Sequence, residues 1–240
     1  MAEKQATAAP MEAADVIEKA KGFWAKFSRP IIIAGSAVIL VVGGWLIYKY
    51  VFRLPKEREA DEKIFAAEKL FGKMANSSSY GKDTVNIVLN GDKGTGVTGL
   101  LKIISSYGST AAGNRANYMA GACYLQLKQF DKAVKYLKEF DGNGANQVQS
   151  KAYIMLGHAC SEEKKTDDAL SYYKKAASVA EGDEGMASEA LFIAGRYADA
   201  TGKTKDAIEL FQKLSDTYPA SQHVRNGDAE KYLAKLGVTK

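Results

Sequence analysis

The sequence predicts an all-α fold, in which a single N-terminal transmembrane helix is followed by a right-handed α-solenoid of about four helix pairs and a cap helix. Three observations lead to this prediction. Only four prolines interrupt 240 residues, an uncharged apolar run lies near the N-terminus, and three later segments repeat one pattern of small and large residues. All three features are typical of helical proteins.

The apolar run covers residues 31–48 and reads IIIAGSAVILVVGGWLIY. At about 1.5 Å per residue it is just long enough to cross a hydrocarbon core of about 30 Å. Pro30 can open a helix there, because its missing N–H costs nothing in the first turn. A cleaved signal peptide fits less well, since the run is long and no A-x-A site follows. A buried core helix also fits less well, because the run is apolar on all sides. Residues 30–52 are therefore assigned to a transmembrane helix.

Aromatic and charged residues flank this span. Trp45, Tyr48 and Tyr50 lie at its exit end, as an aromatic belt at a membrane interface would. Residues 1–29 form a short N-terminal tail with a candidate amphipathic helix, which would lie in the interface with one apolar side: Ile17, Ala20, Phe23, Trp24 and Phe27. Lysine and arginine are nearly balanced across the span, so charge alone does not decide its orientation.

Small residues occupy one side of the predicted span: Gly35, Ser36, Gly43 and Gly44. Such a side lets another membrane helix approach closely, so these residues are predicted to form a helix-packing surface. Glycine is also generally common in membrane helices, and the sequence leaves this second explanation open.

Three segments further along the chain align without gaps across their predicted helix pairs. Each holds a glycine, then an alanine, then a large residue one helical turn beyond the alanine: Gly121, Ala133 and Leu137; Gly157, Ala169 and Tyr173; Gly195, Ala207 and Phe211. A glycine in the first helix would let the second helix pack closely, and the large residue would fill the gap between them. The pattern therefore predicts stacked helical hairpins.

This pattern resembles the tetratricopeptide repeat, in which small and large residues recur at these positions and a proline follows, here Pro219. The resemblance covers residues 114–219, and three repeats are assigned to residues 112–219. Successive glycines stand 36 and 38 residues apart, against a usual period of about 34, which predicts extended loops at DGNGANQ and EGDEGM. The N-caps of the second helices are expected at Asp131, at Thr166 or Asp167, and at Thr204.

A degenerate first helix pair is predicted upstream, over residues 53–111. Its first helix would span residues 57–74, with an apolar stripe at spacings of four and three residues: Ala60, Ile64, Ala67, Phe71 and Met74. Its second helix would span residues 97–107, because that segment aligns with the end of the third repeat. Residues 220–240 are predicted to form a C-terminal cap helix that solvates the end of the array.

One glycine-rich segment suggests a different kind of site. Gly94, Gly96 and Gly99 match G-x-G-x-x-G, and the preceding TVNIVLN could be a strand. A dinucleotide site needs that strand and a parallel sheet after it, whereas helices are predicted to follow. Metal-ligand spacings, nucleophile motifs and blocks of basic residues do not occur, so we expect no cofactor, no metal, no catalysis and no nucleic-acid binding. The sequence leaves open whether Cys123 and Cys160 form a disulfide.

The concave face of a helical-repeat array typically binds extended or helical segments of partners. In the tetratricopeptide family, fixed positions of each first helix line this groove, and the resemblance carries them over to Arg115, Tyr118, Ala122, Lys151, Ile154, His158, Glu189, Phe192, Arg196 and Asp199. Members that clamp a chaperone's C-terminal carboxylate use Lys and Asn where this chain has Tyr118 and Ala122. That clamp is therefore expected to be absent. For each of these residues, a solvated helix face is the alternative interpretation.

The layout as a whole resembles the bacterial YfgM-type membrane-anchored tetratricopeptide proteins, over roughly residues 20–236. The segments that carry the resemblance are 89–92 (LNGD), 107–111 (YGSTA) and 120–121 (AG). The resemblance implies an accessory role beside the Sec translocon of the bacterial inner membrane, with a cytoplasmic N-terminus and a periplasmic repeat domain. It also implies the partners: translocon helices, a membrane-anchored periplasmic chaperone and nascent secreted proteins. A membrane-anchored import receptor or assembly factor with a cytosolic repeat domain is the alternative.

Overall fold

The computed structural model describes residues 13–75 and 81–238. Helices make up 81% of the described residues, which form no closed sheet, and this agrees with the predicted all-α class. The chain divides into two compact units, Met1–Pro55 and Lys56–Lys240. Each unit is described by itself.

The first unit consists of helix α1, Ala13–Ile47, followed by a π-helical segment, Tyr48–Arg53. Pro30 lies inside α1 and does not open it, and residues 1–12 of the predicted tail lie outside the described residues. The apolar side chains of the run face outward, and Leu40 is 76% exposed. One helical stretch among the described residues, near the N-terminus, is long and apolar enough to cross a membrane.

The second unit begins with more structure than the predicted degenerate pair. Helix α2, Leu54–Ala75, is followed by α3, Lys82–Asn90, by a two-stranded antiparallel hairpin, and by α4, Leu100–Tyr107. The strands are β1, Gly91–Asp92, and β2, Val97–Thr98. The stripe on α2 is buried at Ala60, Ile64, Ala67 and Met74, while Phe71 is half-buried. The predicted helix pair therefore contains a third helix and a hairpin, and its last helix begins at Leu100.

Three helical hairpins follow. They are α5 and α6 (Ala111–Gln126 and Phe130–Lys138), α7 and α8 (Asn146–Glu162 and Thr166–Val179), and α9 and α10 (Glu184–Ala200 and Thr204–Thr217). A methyl group placed on each repeat glycine would lie within 2.8 Å of the large side chain of the second helix, which confirms the predicted pairs: Gly121 with Leu137, Gly157 with Tyr173, and Gly195 with Phe211. The alanines at 133, 169 and 207 are fully buried.

The turn within each hairpin repeats the same backbone geometry. Lys128, Lys164 and Gly202 have positive φ angles of 57°, 60° and 73°. In each turn two backbone N–H groups donate to carbonyls of the first helix, as in a Schellman motif. The second helices are capped by Gln129, Lys165 and Lys203, whose side chains make no capping hydrogen bond. The predicted N-caps are therefore wrong, because this turn places them inside the first helical turn.

Lys164→Gly is expected to raise the free energy of unfolding by about 0.5–1 kcal/mol, because a residue with a Cβ is strained at positive φ. The exposed Lys164 side chain makes no described contact that would be lost. Urea unfolding followed by far-ultraviolet circular dichroism measures the change. Gly202→Lys tests the reverse exchange and is expected to lower stability by a similar amount; a stabilising Gly202→Lys would contradict the explanation.

The C-terminal segment forms two helices where one cap helix is predicted. They are α11, Gln222–Arg225, and α12, Asp228–Lys235. Gly227 separates them with a left-handed φ of 75°. Helix α12 packs on α10 through Ala229 and Leu233.

Candidate protein-binding surface

The first helices of the three repeats form one continuous layer, in which α7 contacts both α5 and α9. The sequence-predicted groove residues differ in accessibility. The four exposed residues are Lys151, His158, Glu189 and Arg196. The five half-buried residues are Arg115, Tyr118, Ala122, Ile154 and Asp199. Phe192 is buried. The layer therefore offers some of these side chains to a partner and uses others in packing.

At the N-terminal end of this layer, Arg115 joins α5 to α2. Its Nε donates to Glu68 over 2.7 Å, and its Nη2 donates to Asp61 over 2.9 Å. Helical spacing places Phe65 on the same face of α2, between these two carboxylates. Phe65 is 65% exposed, so this face presents an aromatic side chain next to the Arg115 ion pairs.

Phe65 is absent from the predicted groove, although the sequence contains a signal for it. Ile64 and Ala67 belong to the apolar stripe of α2, whereas Phe65 lies off that stripe among charged residues. The core does not need a large residue outside the apolar stripe, and aromatic residues of this kind are enriched among binding hot spots.

In the middle of the layer, α7 presents Lys151, Ile154 and His158 on one stripe at helical spacing. Nδ1 of His158 lies 2.9 Å from the hydroxyl of Tyr173, the large residue that fills the space beside Gly157. Burial raises the pKa of Tyr173, so its hydroxyl stays protonated and forms one hydrogen bond with Nδ1. The Nε2 atom is the ring nitrogen that remains for a partner.

The stability of the repeats is expected to fall as the pH drops below about 6.5. Burial lowers the pKa of His158 relative to the unfolded chain. The unfolded state therefore binds the proton first, and stability that is fully present above the unfolded pKa is lost as the pH decreases through it. Urea unfolding of wild type and His158→Gln at pH 7.5 and 5.5 measures the effect. Equal losses in both proteins would contradict the assignment.

At the C-terminal end, the chain's own last segment covers the groove positions of the third repeat. The imidazole of His223 stacks on Phe192 with centroids 3.9 Å apart, and its Nε2 lies 2.7 Å from Glu189. Lys235 donates to Asp199 over 2.6 Å. Arg196 stays exposed beside the Phe192 ring. Phe192 therefore serves the packing of the C-terminal helices here.

The glycine-rich segment forms a closed hairpin. Gly94 and Gly96 lie in its turn, and Gly99 precedes α4. The Asp92 carboxylate accepts the Thr95 N–H over 2.8 Å, and these hydrogen bonds to Thr95 lower the pKa of Asp92. The preceding segment is helix α3, so the strand that a dinucleotide site requires is missing from this segment.

The remaining candidate residues have simple surroundings. Cys123 and Cys160 are buried free thiols, and burial raises the pKa of Cys123 to about 12. The described residues contain no group of side chains that could hold a metal ion. In α1, methyl groups at Gly35, Gly43 and Gly44 would meet no atom within 4 Å, and Ser36 is exposed beside them.

The aromatic residues assigned to the membrane interface are exposed: Trp24, Trp45, Tyr48 and Tyr50. The Lys49 ammonium lies 4.9 Å from the centroid of Trp45 and 5.7 Å from that of Tyr50. Amphipathic rings beside a cationic side chain are typical of a membrane interface.

Comparison with known proteins gives one family. A search of curated proteins found no significant match. A family model described as a tetratricopeptide repeat-like domain matches residues 21–226, which include most of α1, all three hairpins and α11. Such domains are typically protein-interaction scaffolds. The repeated glycine contacts and this match together place the chain in the tetratricopeptide repeat-like domain family.

Proposed function

We propose that the chain is a non-enzymatic, membrane-anchored protein-binding scaffold. It acts beside the Sec translocon of the bacterial inner membrane, together with a membrane-anchored periplasmic chaperone, and handles nascent secreted proteins. One observation carries the proposal: a single family match extends over both the apolar helix and the repeats, so the anchor and the scaffold belong to one architecture.

The first unit supports the anchor. Its apolar side chains are exposed, and burying such side chains in lipid is favourable by about 25 cal/mol per Å². Ser36 and Gly43 are seven residues apart and share one face of the helix, and these small residues would let a translocon helix approach closely. Phe23 and Phe27, whose centroids are 4.9 Å apart, continue the apolar side toward the N-terminus and would lie in the interface.

The first-helix layer supports the scaffold. Lys151, His158 and Arg196 of this layer remain accessible to a partner, as does Phe65 on the neighbouring helix α2. Arg115, Phe192 and Asp199 are held by ion pairs or ring packing. A fixed layer with a few accessible aromatic and cationic side chains suits a partner segment, because little ordering entropy is lost on binding.

Protease treatment of oriented membrane vesicles tests the topology. With a cytoplasmic N-terminus, protease added from the periplasmic side digests the repeats, while protease added from the cytoplasmic side leaves them intact. Digestion from the cytoplasmic side would contradict the proposal and favour the import-receptor alternative, in which the repeats are cytosolic.

Photo-crosslinking in cells tests the partners. Crosslinkers at Tyr118 and Lys151 sample the groove, and one at Gly43 samples the membrane helix. Ser171 is the matched control, because it is exposed on a second helix. We expect translocon or chaperone products from the first three positions and not from Ser171. Products that contain neither component would overturn the assignment.

A further inference from the structure

Helix α12 repeats the pattern of a first helix. Residues 229–238 align with 194–203, and the shared residues are Ala229 with Ala194, Tyr232 with Tyr197, and Gly237 with Gly202. Both alanines are fully buried. Tyr197 packs against Tyr173 with centroids 5.2 Å apart, and Tyr232 stacks on Phe211 at 4.8 Å. Each tyrosine therefore contacts the large residue of the preceding second helix.

The end of α12 confirms this equivalence. Gly237 has a φ of 83° and Gly202 one of 73°. In both turns the glycine N–H donates to the carbonyl three residues earlier in the chain. The next N–H donates to the carbonyl five residues earlier, which is that of Leu233 in α12 and that of Ala198 in α9. Helix α12 thus has the packing and the termination of the first helix of a fourth repeat.

Glu230 is the informative departure from the repeat pattern. It stands at the position of Gly195, the glycine that admits the large residue of the second helix. An apolar residue at the equivalent point of a fourth second helix would meet a carboxyl group there. A cationic residue would instead form an ion pair.

A cavity of about 460 Å³ lies where that second helix would pack, between α10 and α12. Its apolar wall includes Leu233, Ala234 and Val238. The Oγ of Ser215 and the Oε2 of Glu230 are shielded from solvent, and neither has a hydrogen-bond partner among the described residues. Shielded polar atoms without partners are costly, so they indicate a missing group.

The charge of the cavity indicates the nature of that group. Asp216 and Glu230 contribute carboxyl groups, and no lysine or arginine is among the described residues that line it. Acceptors and acids beside an apolar wall favour a donor that is cationic and carried on an otherwise apolar surface.

We propose that this cavity binds an amphipathic helix of a partner protein, which supplies the second helix of the fourth repeat. The helix carries Lys or Arg at the position where the repeats carry Leu137, Tyr173 and Phe211, and this cation pairs with Glu230. The surface is separate from the groove residues and does not depend on membrane anchoring, so it can fail independently of the proposed function.

The probe is a synthetic peptide with the sequence of residues 204–219, labelled with fluorescein and carrying Phe211→Lys. The control peptide keeps Phe211. Binding to the full chain in detergent is measured by fluorescence anisotropy. We expect the Lys peptide to bind at least about tenfold more tightly than the Phe peptide, and Glu230→Gly in the full chain to reverse this preference.

Ala234→Trp provides the second variant. Ala234 is exposed at the cavity wall, so the indole fills the cavity without disturbing the core, and both peptides should lose binding. Absence of binding by both peptides, equal affinities, or binding unchanged by Ala234→Trp would overturn the proposal. Self-association of the full chain that Ala234→Trp abolishes, measured by sedimentation velocity, would assign the site to a second copy and also overturn it.

Discussion

Phe211→Ala is expected to lower the free energy of unfolding by about 3–5 kcal/mol, because it removes a fully buried aromatic ring and leaves a cavity. Phe211 fills the space beside Gly195, stacks on Tyr232 at 4.8 Å and meets Phe192 edge-on at 6.0 Å. One ring therefore joins both helices of the third repeat to α12. Urea unfolding of the full chain in detergent, followed by circular dichroism, measures the loss.

Phe65→Ala is the matched control for this prediction. It makes the same chemical change at a ring that is 65% exposed, so the free energy of unfolding should change by no more than about 0.5 kcal/mol. If Phe211→Ala costs less than about 1 kcal/mol, or if Phe65→Ala costs as much, the third repeat is not held together by the contact at Gly195.

The packing of the repeat core could be predicted from the sequence, because it depends on the sizes of side chains at fixed sequence spacings. Gly157 and Tyr173 are informative together, since a missing Cβ and a large ring fit each other only when two helices pack closely. Neighbouring residues of a helical hairpin are close in sequence, so a one-dimensional pattern records most of this packing. The apolar run of α1 is also readable, because its length and composition alone show that it is long and apolar enough to cross a membrane.

Other features depend on contacts between distant segments. Phe192 has the sequence position of a groove residue, but His223 stacks on it, and nothing near Phe192 in the sequence indicates that contact. Helix α3 has the apolar, β-branched composition of a strand and buries Val85 and Val88 against the rest of the unit. Tertiary packing decides such short segments against their local propensity.

The accessible part of the candidate surface was only partly readable from sequence. The resemblance to tetratricopeptide repeats supplied the positions Lys151, His158 and Arg196, which are exposed. It did not supply Phe65, because the first pair is too degenerate to align by pattern. The resemblance also did not predict ion pairs such as that of Arg115 with Glu68. Surface charges can form many alternative pairs that differ little in free energy.

Gly157→Ala is expected to lower the free energy of unfolding by about 1–3 kcal/mol, because one added methyl group overpacks the contact between α7 and α8. That methyl group would lie 2.8 Å from the Cζ atom of Tyr173, well inside van der Waals contact, and the ring is itself held in the core. Gly182→Ala is the control, because its methyl group would meet no atom within 4 Å and stability should change by less than about 0.5 kcal/mol.

A double-mutant cycle with Tyr173→Ala identifies the cause of that loss. Tyr173→Ala removes the ring, so adding Gly157→Ala to it should cost about 1 kcal/mol less than in the wild-type background. The same unfolding measurement on the four proteins gives this coupling directly. If the two losses simply add, the loss caused by Gly157→Ala does not arise at the Tyr173 ring, and the size-matching explanation of the repeat is wrong. Because alanine is intrinsically a better helix former than glycine, a destabilising Gly157→Ala cannot come from propensity, which makes the sign of the single variant decisive as well.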